Sequence, residues 1–151
     1  MMQTSASSDR LTTALADGDS LRYYPAFDLP GRSALPTPDP EMATWNMQLL
    51  LAQRADGSLT VGDTHLYDEP FDFAVDETPL DRLAERAEAI LGWPLPPVVR
   101  CWAGVYSLTT DGSIYWSETV DPGVVVVTGG AGRGMTLSPA IAEQTWERVP
   151  T

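Results

Sequence analysis

One stretch near the end of the chain constrains the fold most: Gly123 to Pro139, read as GVVVVTGGAGRGMTLSP. Its four consecutive valines, Val124 to Val127, are β-branched and uncharged, which is typical of a strand buried on both faces. A turn rich in glycine follows at once and contains Gly129, Gly130, Gly132 and Gly134. A helical pattern then ends the chain.

A strand, a glycine-rich turn and a helix in succession can bring backbone N–H groups and a helix N-terminus to an anionic or polar ligand. The dinucleotide pattern G-x-G-x-x-G is not met, because Gly130 and Gly132 fit its register but Met135 occupies its last position. A plain turn between strand and helix is the alternative. The helix begins either at Gly134 or at Ser138, with Pro139 close to its start.

The composition excludes several classes of partner. The formal net charge is −12, and the nine basic residues are all arginines scattered along the chain. Nucleic-acid binding needs clustered positive charge, so we expect neither nucleic acid nor an anionic membrane as a partner. There is no apolar run of the ~18 residues that a membrane span needs, and no signal-peptide pattern at the N-terminus. These features predict a cytoplasmic protein.

The order of elements predicts an α+β fold. Residues 1–20 are polar with a weak apolar patch at 11–16, and the aromatic segment Leu21 to Phe27 leads into a proline-rich connector. Met47 to Gln53 and Leu59 to Val61 predict a β-hairpin around Asp56-Gly57. Val98 to Leu108 predicts a long strand, which Asp111-Gly112 turns into a second hairpin with residues 113–116.

The pattern from Thr78 to Gly92 predicts one helix on a face of this antiparallel sheet. Thr78 suits the N-cap, Pro79 the first helical position and Gly92 the position after the last turn. Apolar side chains recur at helical spacing on the face that should meet the sheet. They are Leu80, Leu83, Ala84, Ala87, Ile90 and Leu91.

The predicted strand from Val98 to Leu108 has two unlike faces. Val99, Cys101, Ala103 and Val105 form a small apolar face that should meet the helix, while Trp102 and Tyr106 lie on a larger face that could contact a ligand. Cys101 is the only cysteine, so the chain has no internal disulfide, and its place in a strand favours a buried hydrophobe over a nucleophile.

His65, the only histidine, ends a predicted strand beside Asp63 and is a candidate for a pocket. It has no serine or cysteine partner in a recognisable frame, so a hydrolase triad is not indicated. The acidic, aromatic stretch 67–77 lacks the spacing and glycine of a calcium loop and is interpreted as solvated. No other pattern predicts a metal site.

The end of the chain, VVVVTGGAGRGMTLSPAIAE, resembles the C-terminal FAD-contacting segment of the D-amino-acid-oxidase/glycine-oxidase superfamily. Three further blocks resemble the family in the same order: LRYYPAF, ADGSLTVGDTHLY and VVRCWAGVYS. They are most similar to the branch associated with phosphonate or amine catabolism. The resemblance spans nearly the whole chain and is poorest over residues 30–44.

The resemblance implies that residues 1–119 are part of a substrate-binding domain with an antiparallel sheet. Residues 120–151 would be the last strand, loop and helix of a Rossmann-like FAD domain. It places six residues near the flavin: Gly130, Gly132, Arg133, Gly134, Met135 and Thr136. The resemblance also implies a reaction in which hydride passes from the carbon of a C–N bond to FAD. The imine is then hydrolysed and the flavin is reoxidised.

Two departures from the family qualify this expectation. Tyr106 stands where glycine-oxidase-like relatives carry an arginine for the substrate carboxylate, so an aminophosphonate or other small amine is expected, with Tyr106, His65 and Trp102 as substrate residues. The G-x-G-x-x-G half that binds the ADP part of FAD is missing from the sequence. The chain is therefore interpreted as a piece of an FAD-dependent enzyme, or as a non-catalytic module that pairs with a separate FAD-binding half.

Overall fold

A computed structural model of the protein describes residues 1–67 and 74–148 and divides the chain into two compact units, Met1–Ala103 and Gly104–Thr151. The first unit contains strands β1 (Met2–Ala6), β2 (Leu15–Ala16), β3 (Leu50–Gln53), β4 (Ser58–Gly62) and β5 (Val98–Cys101), and helices α1 (Pro40–Thr44) and α2 (Thr78–Leu91). The second contains β6 (Trp116–Asp121), β7 (Val124–Thr128) and helix α3 (Gly134–Arg148).

The first unit is a five-stranded antiparallel sheet in the order β2-β3-β4-β1-β5. The mixed α and β content with an antiparallel sheet confirms the predicted fold class in its coarse form. The polar interpretation of residues 1–20 was wrong at its start, because β1 lies between β4 and β5. Met2 and Thr4 point to the buried side, and the Leu59 N–H donates to the Thr4 hydroxyl at 3.0 Å. A strand with so few apolar residues gives little local signal.

The predicted hairpin is confirmed as β3 and β4, although its first strand begins at Leu50 rather than Met47. Leu51 pairs with Val61 across the two strands, and both are buried. Gly57 has φ +86°, the left-handed conformation that glycine adopts readily. The turn chemistry therefore set the register of this hairpin.

Helix α2 packs on the sheet as predicted. Leu80, Leu83 and Ala87 belong to the core that also contains residues of β1, β3 and β4. Ala84 and Leu91 are partly buried against this core, whereas the inclusion of Ile90 in the apolar face was wrong, because it is 49% exposed. Gly92 has φ +76° and ends the helix. The N-cap is Glu77 rather than Thr78, and the Asp76 carboxylate accepts from the Thr78 N–H at 2.9 Å.

The connector between β2 and α1 contains three short 3₁₀ turns, Gly18–Tyr23, Pro25–Phe27 and Pro30–Ala34. The prolines of this connector prevent a helix interior or a central strand. Arg86 of α2 anchors the first turn through Asp17 at 2.5 Å and Asp19 at 3.0 Å. Most of the predicted acidic loop 67–77 lies outside the described residues, which omit 68–73.

The predicted strand Val98 to Leu108 was too long. β5 ends at Cys101, and Leu108 forms only an isolated bridge with Gly130. Its expected apolar face was wrong at three of four positions: Val99 lies on the edge strand β5 and is exposed, and Ala103 and Val105 lie beyond the end of β5 and are exposed. Cys101 alone packs against the core.

The second unit contains a hairpin, but with other strands than predicted. β6 pairs with β7 around Asp121-Pro122-Gly123, so the expected hairpin around Asp111-Gly112 was wrong. β7, expected to be buried on both faces, forms a two-stranded antiparallel ribbon, and Val124, Val126 and Val127 are exposed. The predicted domain boundary after residue 119 falls inside β6.

Helix α3 begins at Gly134, the first of the two starts that the sequence allowed, and Pro139 lies within it. Pro139 has no N–H for the carbonyl of Met135, four residues earlier. The Ser138 hydroxyl donates to that carbonyl instead, at 3.0 Å. The side chain before the proline therefore compensates for the hydrogen bond that the proline removes.

Candidate functional site

The glycine-rich loop follows β7 and leads directly into α3. Gly129 has φ +78°, and residues Ala131–Arg133 form one 3₁₀ turn. The backbone N–H of Gly134 donates to the Ala131 carbonyl, which closes the loop onto the first turn of the helix. Glycine at position 129 permits the left-handed turn. The loop then leads directly into the N-terminus of α3, a helix of 15 residues.

A second segment, residues 106–109, lies along this loop. Leu108 pairs with Gly130 as an antiparallel bridge, and the Ala131 N–H donates to the Ser107 carbonyl at 3.1 Å. A Cβ atom at Gly132 would lie 3.4 Å from the hydroxyl oxygen of Tyr106. The structure therefore brings the predicted substrate residue Tyr106 together with the predicted cofactor residues of the loop.

Two of the loop glycines leave little room for a side chain. A Cβ at Gly129 would lie 2.7 Å from Cγ2 of Thr109, and one at Gly130 would lie 3.3 Å from Cα of Gly134. Gly134 differs, since its φ is −53° and a Cβ there would meet no atom of the chain within 4 Å. Neither backbone strain nor a clash within the chain requires glycine at position 134, and this leaves space for a group that approaches the loop from outside.

Beside the loop lies a groove of about 460 Å³ between β7 and α3. Its ten lining residues carry no charged side chain: Tyr115, Val127, Thr128, Gly130, Gly134, Ser138, Ile141, Ala142, Thr145 and Trp146. The Tyr115 hydroxyl donates to Gln144 at 2.7 Å and ties this wall to α3. The remaining predicted loop residues, Arg133, Met135 and Thr136, are exposed. The groove suits an uncharged, largely apolar group.

His65 lies in the first unit, just after β4. Its Nδ1 is 3.2 Å from the Asn46 carbonyl oxygen and its Nε2 is 3.5 Å from Oδ2 of Asp63. Tyr23 stacks on the imidazole with ring centroids 4.6 Å apart, and Tyr67 stacks at 6.4 Å. With both ring nitrogens facing protein groups and only 10% of the side chain exposed, His65 is held as a fixed part of the unit.

Two acceptor atoms are buried beside His65 without a hydrogen-bond donor among the described residues: Oε1 of Gln48 and Oδ1 of Asp63. Gln48 and Asp63 exchange both backbone hydrogen bonds, at 2.9 and 2.6 Å, and the Gln48 amide is 3.5 Å from Nδ1 of His65. Burial raises the pKa of the Asp63 carboxyl, and the nearby His65 opposes this rise. Burial thus makes the protonated form of Asp63 more favourable than it would be in solvent.

Trp102 follows β5, and its backbone N–H donates to the Met1 carbonyl at 3.1 Å. The Arg100 guanidinium lies 4.7 Å from the centre of the Trp102 ring, a cation–π contact. Burial raises the pKa of the neighbouring Cys101 thiol, and Glu77 reinforces the effect. A protonated thiol is a poor nucleophile, in keeping with the predicted packing role.

Some residues around the candidate site escaped the sequence reasoning. Ser107 accepts a hydrogen bond from the glycine loop and Thr109 packs beside Gly129, but the sequence placed Ser107 inside a long strand and gave Thr109 no role. Gly104 in that strand was the available signal. Gln48 is a polar residue within the apolar run Met47 to Leu51, a pattern that marks a buried polar group. No group of three potential metal ligands occurs in the described part of the chain, nor does any helix there have the length and apolarity to cross a membrane.

A family model described as FAD dependent oxidoreductase (DAO) matches residues 6–148. The chain belongs to this FAD-dependent oxidoreductase family. No curated protein and no solved structure was found to match it. The cofactor of this FAD-dependent oxidoreductase is FAD, and the match includes both the first unit and the glycine loop.

The loop of this FAD-dependent oxidoreductase fits a flavin in three respects. Gly134 leaves an open position where a side chain would otherwise stand, the adjoining groove has no charged lining, and the loop leads into the N-terminus of α3. A helix N-terminus favours nearby negative charge. The roles of Gly130, Gly132, Gly134 and Arg133 at the flavin stay predictions.

Proposed function

We propose that the chain is part of an FAD-dependent oxidoreductase that oxidises a C–N bond of a small amine, amino acid or aminophosphonate. The observation that carries the proposal is the position of the Tyr106 hydroxyl beside Gly132, within a chain whose family match runs from residue 6 to residue 148. When bound, FAD accepts the hydride that leaves the carbon next to nitrogen. The substrate also loses a proton from nitrogen, and water then hydrolyses the imine to a carbonyl compound and an amine or ammonia.

The chain contributes position and electrostatics to this reaction. The N-terminus of α3 favours negative charge at the loop, because the positive end of the helix dipole lies there. Tyr106 presents a neutral hydroxyl beside the loop, so it selects the substrate by hydrogen bonding rather than by charge. A small amine that needs no ion pair at this position fits best.

The domain assignment belongs to the same proposal. Residues 1–119 would form part of the substrate-binding domain, and residues 120–151 would return to a Rossmann-like FAD domain. The uncharged strand β7, exposed at Val124 and Val126, is suited to such a sheet. We place the enzyme in the cytoplasm.

A second candidate function has an observation of its own. Among residues 104–148, Gly129 alone is buried, whereas Trp146 is 80% exposed. Contiguous exposed apolar surface marks interaction sites. A non-catalytic module that pairs with a separate FAD-binding half would use this surface, and FAD would bind only to the assembled pair.

FAD titration of the purified chain, followed by quenching of flavin fluorescence, tests the proposal. Gly134→Ala fills the open position with a methyl group and favours the helical state by about 1 kcal/mol, the difference in helix propensity between alanine and glycine. We expect weaker FAD binding together with an unchanged or more stable α3. Gly104→Ala is the matched control, because a Cβ there also meets no atom within 4 Å.

Three outcomes are distinguishable. Equal FAD affinity of both variants and the native chain would remove the loop from the flavin site. No binding to the native chain, with binding restored by an added FAD-binding half, would favour the second candidate.

For the reaction, Tyr106→Phe should lower the rate at which small amines or aminophosphonates bleach the bound flavin anaerobically, and an unchanged rate would remove Tyr106 from the substrate site.

A further inference from the structure

A shallow pocket of about 590 Å³, open to solvent and lined by polar and apolar groups alike, lies in the connector of the first unit. It is lined by Arg22, Asp28, Leu29, Pro30, Arg32 and Ser33. The chain has only nine basic residues against 21 acidic ones, and two of the nine line this pocket. The proposed flavin site does not use them.

The Arg22 guanidinium is held in place before any ligand arrives. Its Nε donates to Oδ1 of Asp19 at 2.8 Å, and its terminal nitrogen donates to the Pro36 carbonyl. Asp19 is itself fixed by Arg86 of α2 at 3.0 Å. Since the side chain is already ordered, little further rotamer entropy is lost when it binds an anion.

The Arg32 guanidinium contacts the same segment from the other side. It donates to the Arg22 carbonyl at 3.0 Å, and it pairs with Oδ1 of Asp28 at 3.1 Å. The Asp28 side chain is 73% exposed, and such exposed ion pairs contribute little to stability. A weakly held carboxylate thus already lies at the pocket, and its pairing with Arg32 shows that this guanidinium binds an oxyanion.

We propose that this pocket binds a small oxyanion of the phosphate or phosphonate type, with Asp28 displaced from Arg32. A guanidinium has five N–H donors in a planar fork, more than these contacts occupy, and the fork matches tetrahedral oxyanions. A doubly charged anion competes better for the two arginines than the single carboxylate of Asp28. The site recognises the oxyanion group itself, whether free phosphate or the acidic end of a larger molecule.

Binding is measured with three probes at constant ionic strength: inorganic phosphate, methylphosphonate and acetate, each followed by the shifts of backbone amide resonances of residues 22–33. We expect phosphate and methylphosphonate to bind more tightly than acetate. Arg32→Gln should weaken phosphate binding about tenfold or more, as expected for the loss of a charge-assisted hydrogen bond. Asp28→Asn should strengthen it, because the competing carboxylate is gone.

Arg54→Gln is the charge-matched control, since Arg54 is exposed in the hairpin turn between β3 and β4. It should leave phosphate affinity within about twofold of the native chain, because screening weakens a distant exposed charge. The proposal is overturned if no probe binds, if Arg54→Gln weakens binding as much as Arg32→Gln, or if Asp28→Asn weakens it. Asp28→Asn alters only an exposed side chain, so its result does not depend on a fragile fold.

Discussion

Replacing Gly129 by alanine should destabilise the second unit through two separable effects. The residue has φ +78°, and a Cβ there would lie 2.7 Å from Cγ2 of Thr109. The left-handed backbone adds about 1–2 kcal/mol for any residue with a Cβ. The clash adds about 1–3 kcal/mol of overpacking. The variant should therefore lose about 2–5 kcal/mol of local stability.

The chain offers a matched control for each effect. Gly123 has φ +77° with no atom within 4 Å of a Cβ, so Gly123→Ala measures the backbone effect alone. Thr109→Ser deletes Cγ2 but keeps the hydroxyl that donates to the Ser113 carbonyl. In the Gly129→Ala background it should restore the part of the loss that exceeds the loss in Gly123→Ala.

The assay is native-state hydrogen exchange of the β6 and β7 amides in the full chain. A loss of 1–2 kcal/mol in Gly123→Ala corresponds to about 5- to 30-fold faster exchange, and Gly129→Ala should exceed that factor. If Gly129→Ala exchanges no faster than Gly123→Ala, or if Thr109→Ser restores no protection, the packing of Thr109 against the loop is wrong.

Two further predictions concern the first unit. Leu83→Ala should lower the free energy of unfolding by about 2–5 kcal/mol in urea titrations, because Leu83 is fully buried. Ile90 is half exposed on the same helix, so Ile90→Ala should change the free energy of unfolding by about 0.5 kcal/mol. Equal losses in the two variants would refute the packing of α2. Burial raises the pKa of Asp63, so the protonated form is favoured in the folded state and its contribution to stability is lost as the pH rises through the folded pKa. Asp63→Asn should therefore raise Tm more near neutral pH than near pH 4. Hydrogen bonds from Ser58 lower the pKa of the Asp56 carboxyl, so Asp56→Asn should lower Tm more near neutral pH than near pH 4. Parallel shifts of Tm in both variants would contradict these environments.

The features that the sequence predicted correctly are those with local signals. The glycine at position 92, the proline at position 79 and the spacing of Leu80, Leu83 and Ala87 define α2 without reference to the rest of the chain. The Asp56-Gly57 turn likewise defines the β3–β4 hairpin. β1 escaped because Met2 and Thr4 become inward-facing only through pairing with residues about 55 and 100 positions away, which no local pattern encodes.

The candidate site divides in the same way. The glycine loop is visible in the sequence because glycine changes the backbone itself, whereas the sequence left two starts open for α3. The alignment of Ser107 and Leu108 with the loop depends on a bridge across 22 residues and on the early end of β5 at Cys101. The predicted roles of Tyr106, His65 and Trp102 stay predictions, and the enclosure of His65 by Tyr23 and Asp63 arises from tertiary structure alone.

The near absence of buried residues in the second unit has a thermodynamic consequence. A segment that buries only Gly129 among its described residues, 104–148, would gain stability from a ligand that binds its ordered form, so ordering and ligand affinity become linked quantities. A ligand at 100 times its Kd adds about 2.7 kcal/mol to the state that binds it. Flavin occupancy would then be read most sensitively as the protection of β6, β7 and α3, and the same ligand would leave the exchange of β1, β3 and β4 almost unchanged.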